Sequence, residues 1–465
     1  MPLSRSARAA AVAVAAASFC LVAAAPAPAP GSAGIGDPYF PDLGNGGFDA
    51  RHYTLDVAYH PGTGRLDGRT TLTARATESL SSFDLDLRKL TVTKVEVNGR
   101  RAHFTRTGDE LRITPARPLH KGRTFRATVT YHGVPEPLGG PIVFGSKYGW
   151  MKTDDGVFVA CEPNAASTWF PSSDHPSDKA TYDIRIKAPT GLTGVSNGRL
   201  VATYETDHGA DTVHHWRESR PMATYLATAT IGKFDVRTGT TPAGTPIYVA
   251  TDPTLEGKSD VDVYGVTAEA TDYWSKVFGP YPFEETGAIV DNMPQAGFSL
   301  EVQSKPVYSA VRSESTIVHE LAHQWFGDSV SVEDWSDIWL NEGFATYAQW
   351  LWSEHKGTRS AHDSFLRAYR SIPADSGFWQ VKVADPKRDT MFSGAVYERG
   401  AMTLQMLRER IGDRAFFRLL PAWTRLHRYG NADTSDFIAL AEKISGKPLA
   451  GLFHTWLYST GKPRL

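Results

Sequence analysis

Residues 318–328 read VHELAHQWFGD and residues 339–347 read WLNEGFATY, and these two stretches decide the fold class of the second half of the chain. Successive residues of a helix advance by about 100°, so His319 and His323 share one face of a helix that we predict over 314–326. Two imidazoles one turn apart can bind a single metal ion. The first stretch therefore predicts a helix that carries two metal ligands.

Two glutamates complete this predicted site. Glu320 lies between the histidines in sequence and projects to the side, where it can reach a metal-activated water without being a ligand. Glu342 follows His323 after 18 residues and lies on a second predicted helix, over 337–356. Two histidines and one carboxylate leave a fourth position open, as hydrolytic zinc sites require. The spacing therefore predicts one Zn²⁺ per chain, with His319, His323 and Glu342 as ligands and Glu320 as the general base.

The chain divides near residue 240 into two parts with different periodicity. From about 50 to 238, apolar and polar residues alternate, as in HYTLDVAYH at 52–60, and turn signals such as Asn98-Gly99 separate the runs. After residue 240 the helical period dominates, with further helices predicted over 261–278, 394–411, 413–428, 434–445 and 448–459. The sequence thus predicts an α+β protein, in which a domain of antiparallel strands precedes a mostly helical domain.

The first 25 residues have the composition of a secretory signal peptide. Arg5 and Arg8 form a basic start, an alanine-rich apolar run follows from Ala9 to Ala25, and its small residues offer a cleavage site. Residues 26–42 are rich in Pro, Ala and Gly and are predicted as a spacer. We therefore expect a secreted protein with no stable membrane insertion after cleavage.

Composition and charge exclude several classes of protein. Hydrophobic residues make up 41% and charged residues 22%, as in an ordinary globular chain rather than a disordered one. The net charge of −2 provides no strong positive field, so no nucleic-acid partner is expected. Loss of Cys20 with the signal peptide leaves Cys161 alone, so stability must come from packing rather than from an intrachain disulfide.

Taken together, HELAHQWFGD and WLNEGFATY resemble the zinc aminopeptidases that include aminopeptidase N. The resemblance extends from about His52 to the C-terminus through WFPSSDHPSDKATYDI, FGPYPFEE and VYERGAMTL. It implies a β-saddle domain over 43–239 and a thermolysin-like zinc peptidase domain over 240–465, after the signal peptide at 1–25. Many family members carry a further C-terminal helical domain, and we expect a short form without it, with a more open cleft.

The resemblance also assigns roles to three further residues. Tyr397, in YERG, matches the family tyrosine whose phenol donates to the oxyanion as the scissile carbonyl becomes tetrahedral. Glu301 matches the glutamate of the family's Gly-x-Met-Glu-Asn motif and would bind the substrate's free α-amino group, although Phe298 and Val302 depart from that motif. Glu162 aligns with the other half of this amine-binding pair. The implied activity is hydrolysis of the N-terminal peptide bond of peptides.

Two other functions stay open at this point. The altered motif around Glu301 would suit a zinc endopeptidase, which paired free and N-acetylated peptides separate from an aminopeptidase. A peptide-binding protein on an inactive peptidase scaffold would lack a ligand or the base, whereas all three ligands, Glu320 and Tyr397 are present here. We therefore expect a secreted zinc aminopeptidase that acts on peptides with a free N-terminus.

Overall fold

The computed structural model describes residues 27–143 and 145–465 of the chain. The predicted signal peptide, residues 1–25, lies outside these described residues. Within them, no helix is both long and apolar enough to cross a membrane. A β-rich N-terminal domain precedes a mostly helical domain, which confirms the predicted α+β class.

The N-terminal domain is built from strands that form three sheets. In the described residues these strands are β1 (Ala29–Pro30), β2 (Phe48–His60), β3 (Arg65–Ala76), β4 (Leu80–Asp86), β5 (Thr91–Val97), β6 (Arg100–Arg101), β7 (His103–Thr107), β8 (Glu110–Thr114), β9 (Thr124–Gly133), β10 (Leu138–Gly139), β11 (Lys147–Lys152), β12 (Val157–Ala160), β13 (Ala180–Pro189), β14 (Thr193–Ser196), β15 (Arg199–Thr206), β16 (Asp211–Met222) and β17 (Ala229–Gly232). The largest sheet has the order β15-β16-β13-β2-β3-β9-β5-β6, and the smaller sheets have the orders β1-β4-β8-β7 and β10-β11-β12-β17-β14.

Strand β2 shows that side-chain alternation predicts which residues are buried but not the direction of the neighbouring strand. Tyr53, Leu55, Val57 and Tyr59 are buried and alternate with more exposed residues, as the period of two predicts. Most pairings of this domain are antiparallel, as predicted, but β2 and β13 run parallel, with Leu55 opposite Ile184. Alternation of side chains is the same in both kinds of pairing, so it cannot indicate strand direction.

The second domain combines a five-stranded sheet, a separate two-stranded sheet of β23 and β24, and helices. Its strands are β18 (Asp235–Thr240), β19 (Pro246–Thr251), β20 (Thr286–Val290), β21 (Ser299–Leu300), β22 (Val307–Tyr308), β23 (Ser331–Val332) and β24 (Asn431–Ala432). Its helices are α1 (Val263–Val277), α2 (Glu314–Ala322), α3 (Trp339–His355), α4 (Ala361–Ser371), α5 (Gly394–Ile411), α6 (Asp413–Leu426), α7 (Thr434–Ser445) and α8 (Ala450–Phe453). The sheet order is β18-β19-β20-β22-β21, so the change of sheet precedes the predicted boundary at residue 240.

Most predicted helices are confirmed, with two differences in their bounds and one helix that was not predicted. Helix α2 ends at Ala322, before the predicted end, and the last helix is only four residues of α8 followed by a π-helical turn, His454–Tyr458. Helix α4 was not predicted. Its buried stripe is narrow, with Ala361 and Phe365 one turn apart, and most of its other side chains are polar.

Within the segment predicted as a spacer, the described residues 27–42 contact both domains. Strand β1 pairs with β4, and Asp37 is buried. The carboxylate of Asp37 accepts a hydrogen bond from the Trp335 backbone N–H at 3.0 Å and lies 3.1 Å from His175 Nε2. The overall composition of the segment, rich in Pro, Ala and Gly, is typical of a spacer. Its packing depends instead on a few side chains near Asp37, which composition does not reveal.

Candidate metal centre

Helix α2 presents the two predicted histidines from a well-capped start. The hydroxyl of Ser313 accepts a hydrogen bond from the Thr316 backbone N–H at 3.2 Å and so caps the helix. His319 lies within the helix, and His323 is the residue that follows its end. The backbone N–H of His323 still donates to the His319 carbonyl at 3.3 Å. One helical turn therefore separates the two imidazoles although the helix is shorter than predicted.

Helix α3 brings Glu342 to both imidazoles. Glu342 Oε2 lies 3.2 Å from His319 Nε2 and 3.4 Å from His323 Nε2, and the two Nε2 atoms are 3.2 Å apart. The next residue, Gly343, lies against α5, where an added Cβ would come within 3.0 Å of the Gly400 backbone. Glycine at this position lets α3 and α5 approach closely, so side chains from three helices converge at one point.

The three converging side chains fit a zinc ion. A proton on any one of the three facing atoms can bridge only one pair, so hydrogen bonds alone cannot satisfy all of them. His323 Nδ1 lies 3.0 Å from the Phe326 carbonyl, so that nitrogen donates and leaves Nε2 free to bind a metal. Two imidazoles and one carboxylate form a donor set that zinc prefers. His319, His323 and Glu342 would hold the ion.

Buried carboxylates give this centre a negative potential. Burial alone would lower the pKa of His323, but the Glu301 and Glu342 carboxylates raise it to about 10. Burial alone would raise the pKa of Glu342, but His323 and His319 hold it at about 2. The surroundings of the three ligand atoms therefore favour a cation.

Glu320 lies beside the centre and outside the group formed by His319, His323 and Glu342. A carboxylate oxygen of Glu320 lies within 4.8 Å of ligand atoms of both Glu301 and His323, and the residue is 7% exposed. Burial raises its pKa well above the ordinary range, and the Glu301 and Glu342 charges add to this effect. A carboxylate with an increased affinity for protons at this distance is suited to general-base chemistry.

Glu301 and Glu162 provide two carboxylates next to the centre. Glu301 follows β21 and is 2% exposed, Glu162 follows β12, and each has a buried oxygen with no hydrogen-bond partner among the described residues. Burial raises the pKa of Glu301 to about 7. Burial, together with the Glu301 charge, raises the pKa of Glu162 well above its ordinary range. Two such carboxylates offer a binding place for a cation such as an ammonium group.

Tyr397 of α5 borders the same point. Its ring stacks on His319, with centroids 6.1 Å apart and planes 15° apart. Burial and the Glu342 charge raise the pKa of the phenol well above its ordinary value, so the phenol remains a hydrogen-bond donor. Arg399, two residues further along α5, is buried and donates at 2.7–3.4 Å to the carbonyls of Trp379, Val381, Thr455 and Ser459. Arg399 thus fixes α5 to the end of the chain.

Two further side chains border the centre without any signal in the sequence. Tyr225 comes from the N-terminal domain, and burial together with the charge of Glu301 raises its pKa well above the ordinary value. Arg312 precedes α2, its Nη2 donates to the Phe298 carbonyl at 3.1 Å, and its charge opposes the rise in the pKa of Glu320. Neither residue lies in a periodic stretch with the metal ligands, so only the folded structure indicates their positions.

Comparison with known families identifies the chain. The family model for the peptidase family M1 domain matches residues 292–456, and the family model for the peptidase M1 N-terminal domain matches residues 49–226. The chain belongs to peptidase family M1. The first match contains His319, His323 and Glu342, and the second contains Glu162.

Two relatives illustrate the similarity at the level of sequence. Aminopeptidase M1-B of Oryza sativa subsp. japonica is 31% identical over 347 residues, which are 69% of this chain and 39% of that protein. Aminopeptidase N of Streptomyces lividans is 29% identical over 334 residues, which are 66% of this chain and 38% of that protein. The chain spans about two fifths of the length of these curated relatives.

Solved structures of similar extent also match. The crystal structure of an M1 zinc metallopeptidase from Deinococcus radiodurans has a TM-score of 0.85 and 29% identity, and the match covers 93% of this chain and 98% of that chain. A mutant of that enzyme bound to the substrate Tyr-Ser-Ala matches with the same TM-score and covers 99% of its chain. The chain thus shares the two-domain fold of that M1 zinc metallopeptidase, as the sequence predicts.

Proposed function

We propose that the protein is a secreted aminopeptidase that removes the first residue from peptides with a free α-amino group. The observation that carries this proposal is that Glu301 and Glu162, beside the metal ligands, each have one buried carboxylate oxygen without a hydrogen-bond partner among the described residues. A substrate ammonium between them would offset their repulsion. The first peptide bond of that substrate would then lie at the metal. An internal segment of a peptide offers no cation for this place, which favours an aminopeptidase over an endopeptidase.

The other residues then have defined roles. Zinc held by His319, His323 and Glu342 would supply Lewis-acid activation of the scissile carbonyl and of water. Glu320 takes the proton of the attacking water and passes it to the leaving amine. The Tyr397 phenol donates a hydrogen bond to the oxyanion as the carbonyl becomes tetrahedral.

Pairs of free and N-acetylated peptides test the recognition of the amine. The wild-type protein should cleave free peptides at the first bond, and Glu301→Gln should lower kcat/KM for them by about 10²-fold, because a buried charged hydrogen bond is lost. Glu256→Gln, at an exposed glutamate far from the ligands in sequence, serves as the matched control. Internal cleavage of the acetylated peptides, or equal losses on both substrates, would favour the endopeptidase.

The role of Glu320 is tested separately. Glu320→Ala should lower kcat by about 10²–10⁴-fold, which is the usual contribution of a general base. Zinc content, measured by elemental analysis, should stay at one per chain because Glu320 is not a ligand. A fully active variant would exclude Glu320 as the base.

Secretion is tested on the full chain expressed in a bacterial host. Fractionation should find the protein outside the cytoplasm, and N-terminal sequencing should show that about 25 residues are removed. A variant that lacks residues 1–25 should remain in the cytoplasm. Export of that shortened variant would show that the predicted signal peptide is not needed.

A further inference from the structure

Glu301 lies at the end of a strand that its sheet holds only weakly. Strand β21 has two residues, Ser299 and Leu300, and forms the edge of the sheet next to β22. The turn that follows contains Ser304, whose φ of 70° lies in the left-handed region that residues other than glycine seldom adopt. The position of Glu301 therefore depends on contacts from outside the sheet.

One such contact comes from Gln324, the residue that follows the metal ligand His323. The Gln324 side chain is buried, its Nε2 donates to the Glu301 carbonyl at 3.1 Å, and its Oε1 accepts from the Ser304 backbone N–H at 2.7 Å. The amide therefore holds both ends of the turn 301–304. Because Gln324 and His323 are neighbours in the chain, this turn is fixed relative to the metal ligand.

A second contact comes from Arg312, which directly precedes the N-cap of α2. Arg312 Nη2 donates to the Phe298 carbonyl at 3.1 Å and to the Ser309 hydroxyl at 2.5 Å, and that hydroxyl donates to the same carbonyl at 2.8 Å. Phe298 precedes Glu301 by three residues. The chain is thus tied to α2 on both sides of Glu301, through Arg312 before the helix and Gln324 after it.

The two ties keep the Glu301 carboxylate close to the metal ligands. A carboxylate oxygen of Glu301 and one of Glu320 lie within 4.8 Å of each other and of a ring nitrogen of His323. In an α-amino acid the amine nitrogen and the carbonyl carbon are about 2.5 Å apart, and one more methylene, as in a β-amino acid, adds about 1 Å. A misplacement of about 1 Å can lower a rate by about 10²-fold. A fixed distance between Glu301 and the metal would therefore select α-amino groups.

We propose that Gln324 and Arg312 are positioning residues that hold Glu301 at a fixed distance from the metal and thereby restrict hydrolysis to substrates with an α-amino group. The inference rests on the proposed aminopeptidase function and explains how its amine-binding site selects the substrate. Both residues act through the backbone around Glu301. Their loss lets Glu301 shift, so the α-amino substrate loses more rate than the longer β-amino substrate.

The test compares kcat/KM for L-alanyl anilide and for β-alanyl anilide. The wild-type protein should prefer the α-amino substrate by about 10²-fold. Gln324→Met, which keeps the length of the side chain without its polar groups, and Arg312→Ala should each lower this preference by about tenfold, the usual effect of losing one buried hydrogen bond. Arg312→Lys keeps a donor for the Phe298 carbonyl, so it should restore most of the preference.

Arg106→Ala is the matched control for the arginine. Arg106 is also partly buried and donates through Nη1 to a backbone carbonyl, that of Leu90 at 3.1 Å, but it lies on β7 of the N-terminal domain. It should keep the wild-type preference. Thermal melting shows how far each variant is destabilised, and elemental analysis should find one zinc per chain. If Gln324→Met loses its zinc, Arg312→Ala decides the test.

Equilibrium binding provides a readout that does not depend on turnover. In a Glu320→Ala background, isothermal titration calorimetry should find that L-alanyl anilide binds more tightly than β-alanyl anilide. Adding Gln324→Met or Arg312→Ala should reduce this difference, whereas adding Arg106→Ala should not.

Each outcome decides between defined alternatives. A wild-type preference near one, or an unchanged preference in both Gln324→Met and Arg312→Ala, would overturn the inference, because general destabilisation lowers both rates equally. An equal loss in Arg106→Ala would also overturn it. If the wild-type protein does not hydrolyse L-alanyl anilide, the proposed function fails. If it does so while the variants keep the wild-type preference, only the positioning role fails.

Discussion

Two buried clusters of the molecule combine imidazole and carboxylate groups in nearly the same way. One consists of His319, His323 and Glu342, and the other of Asp37, His175 and Asp334. In each cluster, one possible ligand atom from every residue lies within 4.8 Å of the other two. By distance alone, both clusters could hold a metal ion.

The hydrogen bonds of the two clusters differ. In the second cluster, Asp37 Oδ1 accepts from the backbone N–H groups of Tyr39 and Phe40, at 2.7 and 2.9 Å. Its Oδ2 accepts from the Trp335 N–H at 3.0 Å and lies 3.1 Å from His175 Nε2. His175 Nδ1 lies 2.8 Å from the Ser177 hydroxyl. The carboxylate and both ring nitrogens therefore already have partners within the protein.

In the first cluster the ligand atoms face only one another on the side that a metal would occupy. The two Nε2 atoms are 3.2 Å apart, and both approach the same oxygen of Glu342. Nearby ligands therefore indicate a metal site only when their polar atoms are otherwise unsatisfied. The first cluster is suited to bind zinc, and the second connects the N-terminal segment to both domains.

The largest expected contrast is obtained by removing one imidazole from each cluster. His323→Ala should lose its zinc and lower kcat by about 10³-fold or more, because metal activation supplies several kcal/mol of transition-state stabilisation. His175→Ala should keep one zinc per chain. Elemental analysis and activity assays of the two variants provide the measurement.

Thermal melting adds a control to this contrast. A chelator should lower the melting temperature of the wild-type protein and of His175→Ala, because a ligand that binds only the folded state stabilises it. It should not affect His323→Ala. Loss of zinc in His175→Ala would show that the second cluster, or the structure that it maintains, contributes to metal binding.

A tyrosine borders each cluster, and the two should respond differently to loss of the hydroxyl. Tyr397→Phe should lower kcat by about 10²–10³-fold, the usual cost of losing one oxyanion donor. Tyr39 donates to Asp385 Oδ1 at 2.8 Å and accepts from the Lys387 N–H at 2.8 Å. Tyr39→Phe should therefore lower the free energy of unfolding by about 1 kcal/mol and leave kcat unchanged. A small effect of Tyr397→Phe on kcat would remove its proposed role.

The two clusters also differ in how well the sequence predicts them. His319 and Glu342 are 23 residues apart on two consecutive helices, so helical period and spacing were enough to predict that their side chains meet. Asp37 is 138 residues from His175 and 298 from Trp335, and its segment looked like a spacer. No local pattern carries information about contacts over such separations.

The same limit applies to the fold and to the rest of the site. The fold class and most helices follow from local periodicity. The parallel pairing of β2 with β13, and the presence of Tyr225 near Glu301, depend on contacts between distant segments. Helix α4 was missed because its buried stripe is too narrow to stand out from its polar residues.

Removal of the Asp37 carboxylate tests the structural role of the second cluster. Asp37→Ala leaves three backbone N–H groups and His175 without their buried acceptor, so the free energy of unfolding should fall by about 3 kcal/mol. The kcat of the folded variant should not change. Urea unfolding and activity assays measure both. Asp42→Ala, at an exposed aspartate of the same segment, should have little effect, and an equal loss there would argue against a specific role of the Asp37 network.

The pH dependence of unfolding gives the smallest expected effect. Burial would raise the pKa of Asp37, but hydrogen bonds from His175 and from the N–H groups of Trp335, Phe40 and Tyr39 hold it below its ordinary value of 3.8. A carboxyl group with a lowered pKa in the folded state adds stability above its unfolded pKa. That stability is lost as the pH falls through the folded pKa.

Below about pH 4, the stability of the wild-type protein should therefore fall more steeply than that of Asp37→Asn. The difference in slope can reach about 1.4 kcal/mol per pH unit, which corresponds to one proton taken up on unfolding. Above pH 5 the two slopes should be equal, because the carboxylate is ionised in both the folded and the unfolded chain. Urea unfolding at a series of pH values measures the slopes. Equal slopes below pH 4 would mean that the pKa of Asp37 is the same in the folded and the unfolded state. The hydrogen bonds of the second cluster would then not stabilise the charged form of Asp37.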